Sequence, residues 1–128
     1  MTVDSTCYRA SGGTWKNGVP GNGNLGSNAR NHGEQRAYAA QNRQNSTMFL
    51  IVQNAYPCAE CHQHFRQRTN GTGMSVIIRV TANHGSYATD HPADQRTPPK
   101  SIYYHNGAAV YGVAPQGFPA HPNPATYG

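Results

Sequence analysis

Acidic side chains and lysines are scarce in this chain: its 128 residues include five Asp and Glu and two lysines, Lys16 and Lys100, against eight arginines. The formal charge of +5 argues against an acidic surface and suits either a polyanionic partner or simply a soluble basic domain. Charged residues make up only 12% of the chain, whereas glycine, asparagine, proline and tyrosine are frequent. That balance speaks against a helical bundle and for a loop-rich fold with a modest core. Cysteine is limited to three, and two of these, Cys58 and Cys61, stand on adjacent turns of any helix. An odd count with that spacing makes a disulfide framework a poor explanation; metal or redox use fits better. No apolar run approaches the length of a membrane span, and the N-terminus lacks a basic and then apolar leader. The expectation is one domain over 1–128, a monomer without membrane contact or an address of its own.

Taken in order, Thr6–Ala10 and Thr14-Trp15 flank Ser11-Gly12-Gly13, which reads as a hairpin, with Cys7 a small buried residue on its first strand. Residues 16–31 are rich in Gly and Asn, contain Pro20 and have no period, so they read as a loop. It is either a linker or, because it runs into His32, a pocket lining to which Asn22, Asn24 and Asn28 contribute. Glu34–Gln44 reads as a helix with a narrow face of small residues and Asn31 as its cap. Met48–Val52 and Met74–Ala82 are continuous apolar runs, expected of central strands covered on both faces. Between them Pro57 suits the first turn of a second helix, on which Cys58, Cys61 and Phe65 share a face and which stops at Thr69-Asn70-Gly71. Residues 83–100 show no apolar period and predict no crossover helix. Asn106-Gly107 joins two strand-like runs, Ile102–Tyr104 and Ala109–Val113, into a final hairpin. Residues 114–128, with four prolines, form a tail that either wraps the domain or hangs free.

The chemistry concentrates at two helix starts. A thiolate is favoured by the unpaired N–H groups there, so Cys58 and Cys61 with His32 supply three ligands for Zn2+ and leave a fourth tetrahedral position for water. Glu34, two residues past His32, stands where it could move protons to and from that water without being a ligand. That is equipment for hydrolytic deamination of an amidine-like carbon. Rival readings use the same residues. Cys58–His62 also spells the attachment pattern of a c-type haem, a structural zinc module could recruit His62 or His64, and a thioredoxin-like disulfide is a third option. Helical geometry turns His62 away from the cysteine face, which predicts a surface or pocket-rim position.

His32-Gly33-Glu34 followed by Pro57-Cys58-Ala59-Glu60-Cys61 resembles the H-x-E and P-C-x-x-C signature of the zinc-dependent nucleoside and nucleic-acid deaminases, an established pattern of that family. The resemblance extends in coarse element order over about Thr6 to Val113 and implies an α/β fold, a three-layer α-β-α sandwich with a cytidine-deaminase-like mixed sheet ending in an antiparallel hairpin. It divides the chain into an N-terminal hairpin and loop (1–31), a catalytic core (32–113) and a tail (114–128). The absent crossover helix is most like the branch containing bacterial polymorphic-toxin deaminases. That branch implies cytosine as target base, action as a secreted effector in the cytoplasm of a target cell, and an acidic immunity protein as partner; an ordinary cytoplasmic enzyme is the alternative. Asn54 departs from the Ser or Thr of many relatives, and Tyr56 shapes the base pocket or simply packs. Single-stranded DNA is the favoured substrate, because an exposed base avoids the cost of unpairing, with RNA, duplex DNA, free cytidine and an adenine base as alternatives. Arg66, Arg68, Arg79, Arg96, Lys100, Tyr103, Tyr104 and His105 are candidates for phosphate contacts and stacking.

Overall fold

The computed structural model describes residues 2–24, 32–84 and 86–127. Six strands form one mixed sheet: β1 (Thr2–Ser11), β2 (Thr14–Asn24), β3 (Met48–Gln53), β4 (Ser75–Val80), β5 (Lys100–His105) and β6 (Ala108–Tyr111). Their order is β2-β1-β3-β4-β5-β6. Only β3 and β4 run parallel, and parallel neighbours require a crossover, supplied by α2 (Ala59–Arg68). A second helix, α1 (Gly33–Ala40), leads into β3.

The alternation of strand side chains sorts the core into two layers. Cys7, Phe49, Ile51, Val76, Ile78, Ile102 and Tyr104 face the helices and pack with Ala37 and Tyr38 of α1 and Phe65 of α2. Tyr38 is wedged edge-on between Phe49 and Phe65, 5.6 Å from each ring, so both helices lie on one face. Trp15, Met48, Leu50, Ile77 and Tyr103 point the other way. Met48–Val52 of β3 and Val76–Ile78 of β4 are apolar because both their faces are covered, as their continuous runs imply.

The expected α-β-α layering is corrected here. The second face carries no helix layer among the described residues; the proline-rich tail lies on it, Phe118 against Tyr103 and Tyr127 against Tyr8 and the Trp15 carbonyl. The tail wraps. The loop expected from residue 16 is also corrected: Thr14–Asn24 is an edge strand paired along β1 from Ser11↔Thr14 to Thr2↔Asn24. Its glycines serve contact, not looseness. A Cβ on Gly21 would stand 2.3 Å from the Ala37 amide nitrogen, so α1 rests directly on β2, as its small-residue face foretells. Proline is tolerated at position 20 because β2 has a neighbour on one side only.

Other boundaries shift less. α1 ends at Ala40, short of Gln44, because the Gln41 side chain leaves the helix to donate to the carbonyls of Cys7 and Asn17. His32 occupies its N-cap position, while Asn31 lies outside the described residues. β4 is two residues shorter at its C-terminal end than the apolar run, and β6 ends at Tyr111. Among the described residues, 83–100 hold short 3-10 turns at Ser86–Asp90 and Ala93–Gln95 and no crossover helix, as expected. Cys7 is fully buried in β1, its thiol pushed up to about 12 by loss of solvent.

Candidate metal centre

Both helices begin at the same end of the sheet, where β3 terminates, and their N-cap residues are His32 and Cys58. Neither side chain makes the usual capping hydrogen bond. They turn toward each other instead. His32 Nδ1 lies 3.2 Å from Cys58 Sγ and 3.1 Å from Cys61 Sγ, and the three donor atoms all fall within 4.8 Å of one another. All three side chains are buried.

The two thiols stand close enough to compete for one proton. The neighbouring Cys61 thiol holds Cys58 down to about 6 against the opposing effect of burial, while the Cys58 sulfur and burial push Cys61 far above the ordinary thiol range. A cation between the sulfurs would remove that conflict by ionising both. Two sulfurs and one imidazole nitrogen, buried and convergent, thus form a group that could bind a metal ion, and the donor set suits a borderline-soft ion.

Glu34 sits in the first turn of α1, 3% exposed, with Oε2 accepting from Gln53 Nε2 at 2.8 Å. The same amide nitrogen also donates to the Ala55 carbonyl at 2.8 Å, and Gln53 Oε1 accepts from Ser5 Oγ at 2.9 Å. Gln53 therefore fixes both the carboxylate and the loop that leads to Cys58. Sequence reasoning missed it, although a polar residue at the end of a wholly apolar strand is a readable signal. Gln35, whose Nε2 lies 3.4 Å from Cys61 Sγ, was missed as well.

Gly33, between His32 and Glu34, has a local cause. A Cβ there would stand 2.6 Å from Ser5 Oγ and 2.8 Å from the carbonyl oxygens of Val3 and Gly21. Only glycine allows the first turn of α1 to sit this close to β1 and β2.

A depression of about 260 Å³ opens beside the cluster, lined by His32, Cys58, Ala59, Glu60, Tyr87 and Asp90. Tyr87, a residue no motif indicated, faces the His32 ring at 6.1 Å. The other residues expected at a substrate pocket are placed as follows. Asn22 is exposed on β2, its carbonyl accepting from Arg36 at 2.8 Å. Asn28 and the Asn24 side chain lie outside the described residues. Tyr56 is buried, its hydroxyl donating to the Gln95 carbonyl at 3.0 Å. Tyr104 is buried in the helix-side core, its hydroxyl 2.7 Å from His62 Nδ1, so it offers no open stacking face. His105 lies at the far end of β5, paired with Ser75, and alternation turns it to the tail side, against Phe118. Strand geometry thus separates it from the cluster by both end and face. His62, expected at the surface or rim, is half-buried among Tyr104, His91 and Tyr111, and burial lowers its pKa to about 4.

Compared with models of known protein families, with curated proteins and with solved structures, the chain matches none.

Proposed function

We propose that the chain is a zinc-dependent hydrolytic deaminase that converts cytosine to uracil in nucleic acid, with single-stranded DNA as its substrate. The observation that carries this reading is the pairing of a convergent His32–Cys58–Cys61 cluster with a buried carboxylate, Glu34, that is held by Gln53 and is not part of the cluster. A structural metal site needs four closed ligands and no poised carboxylate; three ligands and a nearby acid suit a site that activates water. The motif order His32-Gly33-Glu34 and Pro57–Cys61, shared with the zinc deaminases, supports the same choice.

Zinc, when held by His32, Cys58 and Cys61, would supply the Lewis acid that makes a water nucleophilic near neutral pH. Glu34 takes the proton from the attacking water and passes it to the ring nitrogen next to the amino-bearing carbon. It then carries the second proton to the departing amine, so that cytosine and water become uracil and ammonia. Gln53 keeps one carboxylate oxygen engaged throughout and thereby leaves the other for the reacting groups. The +5 charge suits a polyanionic substrate. As in the toxin branch that the motifs resemble, the domain would act after delivery into a target cell and be held in check by an acidic immunity protein.

One observation favours a second reading. Among the described residues lining the depression, the charged ones are Glu60 and Asp90, both acidic, which suits an uncharged nucleoside such as free cytidine better than a phosphate close to the base. A single experiment separates the two. The zinc-loaded chain and its Glu34→Ala variant are incubated with single-stranded DNA, duplex DNA, RNA and free cytidine, and uracil formation is read. Conversion that needs Glu34 is expected, fastest on single-stranded DNA; faster turnover of cytidine would favour the second reading, and no conversion of any substrate by a zinc-loaded chain would sink both.

A further inference from the structure

The segment between β4 and β5 has no apolar period, yet it grips the whole loop from Asn54 to Ala59 that delivers Cys58. The His84 amide donates to the Asn54 carbonyl at 3.0 Å, Tyr56 donates to the Gln95 carbonyl, and Asp90 Oδ2 accepts from the Ala59 amide at 3.2 Å. At the centre of this grip stands His91, 3% exposed, with both ring nitrogens engaged. Its Nε2 is 2.7 Å from the Pro57 carbonyl oxygen and its Nδ1 is 2.6 Å from the Tyr111 hydroxyl. A carbonyl only accepts, so Nε2 carries the proton, and Nδ1 of the neutral ring accepts from Tyr111. The Tyr56 ring at 5.4 Å and the His62 ring at 4.9 Å close the remaining sides.

The Pro57 carbonyl belongs to the same rigid peptide unit as the Cys58 amide. Whatever fixes that carbonyl also fixes the place of the Cys58 Cα, from which rotation about the N–Cα and Cα–Cβ bonds aims the thiol. Apart from this hydrogen bond, the peptide enters an N-cap position whose side chain makes no cap. We propose that His91, braced by Tyr111, is a positioning residue that sets the Pro57–Cys58 peptide and so tunes how tightly and in what geometry Cys58 holds a metal ion. The proposal rests on the cluster binding a metal, not on the reaction it performs. Outer groups that orient a ligand commonly change metal affinity by about 10- to 100-fold when removed.

The test uses the full chain and cobalt(II), whose visible bands report ligand geometry, together with zinc competition against a chromophoric chelator. Three variants are compared with the parent: His91→Leu, which removes both hydrogen bonds, Tyr111→Phe, which removes only the brace, and His91→Gln, which keeps an amide donor. Expected is a loss of affinity of about tenfold or more with altered cobalt bands for His91→Leu, a smaller loss for Tyr111→Phe, and recovery to within about threefold for His91→Gln. Circular dichroism of the metal-free chains reports folding separately. Parent-like affinity and bands in folded His91→Leu, or in Tyr111→Phe should the leucine variant not fold, would overturn the proposal, as would an equal loss in His91→Leu and His91→Gln. Failure of the parent to take up either metal would overturn the centre itself, which is a different result from a silent His91.

Discussion

The two faces of the sheet are built by opposite means. On the helix side, polar groups are threaded through the core and bonded in series: Ser5 to Gln53, Gln53 to Glu34 and Ala55, Tyr111 to His91, His91 to Pro57. On the tail side aliphatic and aromatic side chains meet, Met48, Leu50 and Ile77 beside Trp15 and Tyr103, with Phe118 standing edge-on to Tyr103 at 5.1 Å and His121 at 5.2 Å. Among the described residues, Trp15 Nε1 and, by strand alternation, Arg79 Nε, two of three buried side-chain nitrogens without a hydrogen bond, also belong to this side. Hydrogen bonds are directional and ring contacts much less so. One face therefore specifies positions, as a chemical site requires, while the other mainly removes apolar surface from water.

Loss of a ligand should produce the largest effect and confine it to the helix side. If three ligands share an apparent binding free energy on the order of 10–16 kcal/mol, each carries roughly 3–5 kcal/mol, or over about a hundredfold in affinity. Cys61→Ser and His32→Ala should each show this by metal competition. Glu34→Ala is the counterpart, expected to retain the metal and to lose turnover by about 10²- to 10⁴-fold. Retained activity in Glu34→Ala would remove its role as proton carrier.

Gly33→Ala sharpens the contrast, because it adds one carbon where α1 meets β1 and β2. Overpacking of this kind typically costs about 1–3 kcal/mol, and here the strain moves the flanking His32 and Glu34. Urea unfolding of the metal-free chain and metal competition should both register it. An unchanged affinity would mean that α1 does not depend on this close approach to hold His32. Phe118→Ala is the matching change across the sheet. Removing a half-buried ring should cost roughly 1–2 kcal/mol of stability and leave metal affinity as it was. A parallel fall in affinity would show that the two faces are coupled.

The same contrast decides what could be read from the sequence. Helix starts and central strands were legible because each follows from a local rule: continuous apolar runs for β3 and β4, an Asn-Gly turn before β6, and His and Cys at helix beginnings. The approach of His32 to Cys58 and Cys61 followed from those elements. The start of β2 at Thr14-Trp15 was legible, but its continuation to Asn24 was not, since Gly21 is there to admit α1 and nothing within those residues announces a helix on top of them. Gln53, His91 and Tyr111 were missed for a related reason. Each acts through a partner at least 19 residues away, as Gln53 does with Glu34 and His91 with Pro57. Tyr104 and His105, neighbours in the chain, lie in opposite layers, Tyr104 in the helix-side core and His105 on the tail side, and which layer each takes depends on the tertiary packing.

The smallest expected effect is a pH dependence confined to the helix side. Burial lowers the pKa of His91 from the ordinary 6.5, with Arg96 acting in the same direction and the Pro57 carbonyl and Asp90 opposing. His62, Tyr56 and Tyr111 complete its surroundings without a fixed charge near neutral pH. The unfolded chain therefore takes up a proton on this residue at a higher pH than the folded chain does. Stability from this source is complete above about 6.5 and falls as pH drops below it, since the unfolded state then binds more protons. His62, lowered to about 4, and His64, also lowered by burial, add to the slope, so the wild-type trend alone does not identify its origin. The difference between wild type and His91→Gln does. Urea unfolding with a chelator present, at about pH 7.5 and about pH 5.0, should show a shallower acid loss in the glutamine variant, by part of one proton. Equal slopes would mean that His91 is free to charge in the folded state, and its hydrogen bond to Pro57 would then have to survive with Tyr111 turned to accept.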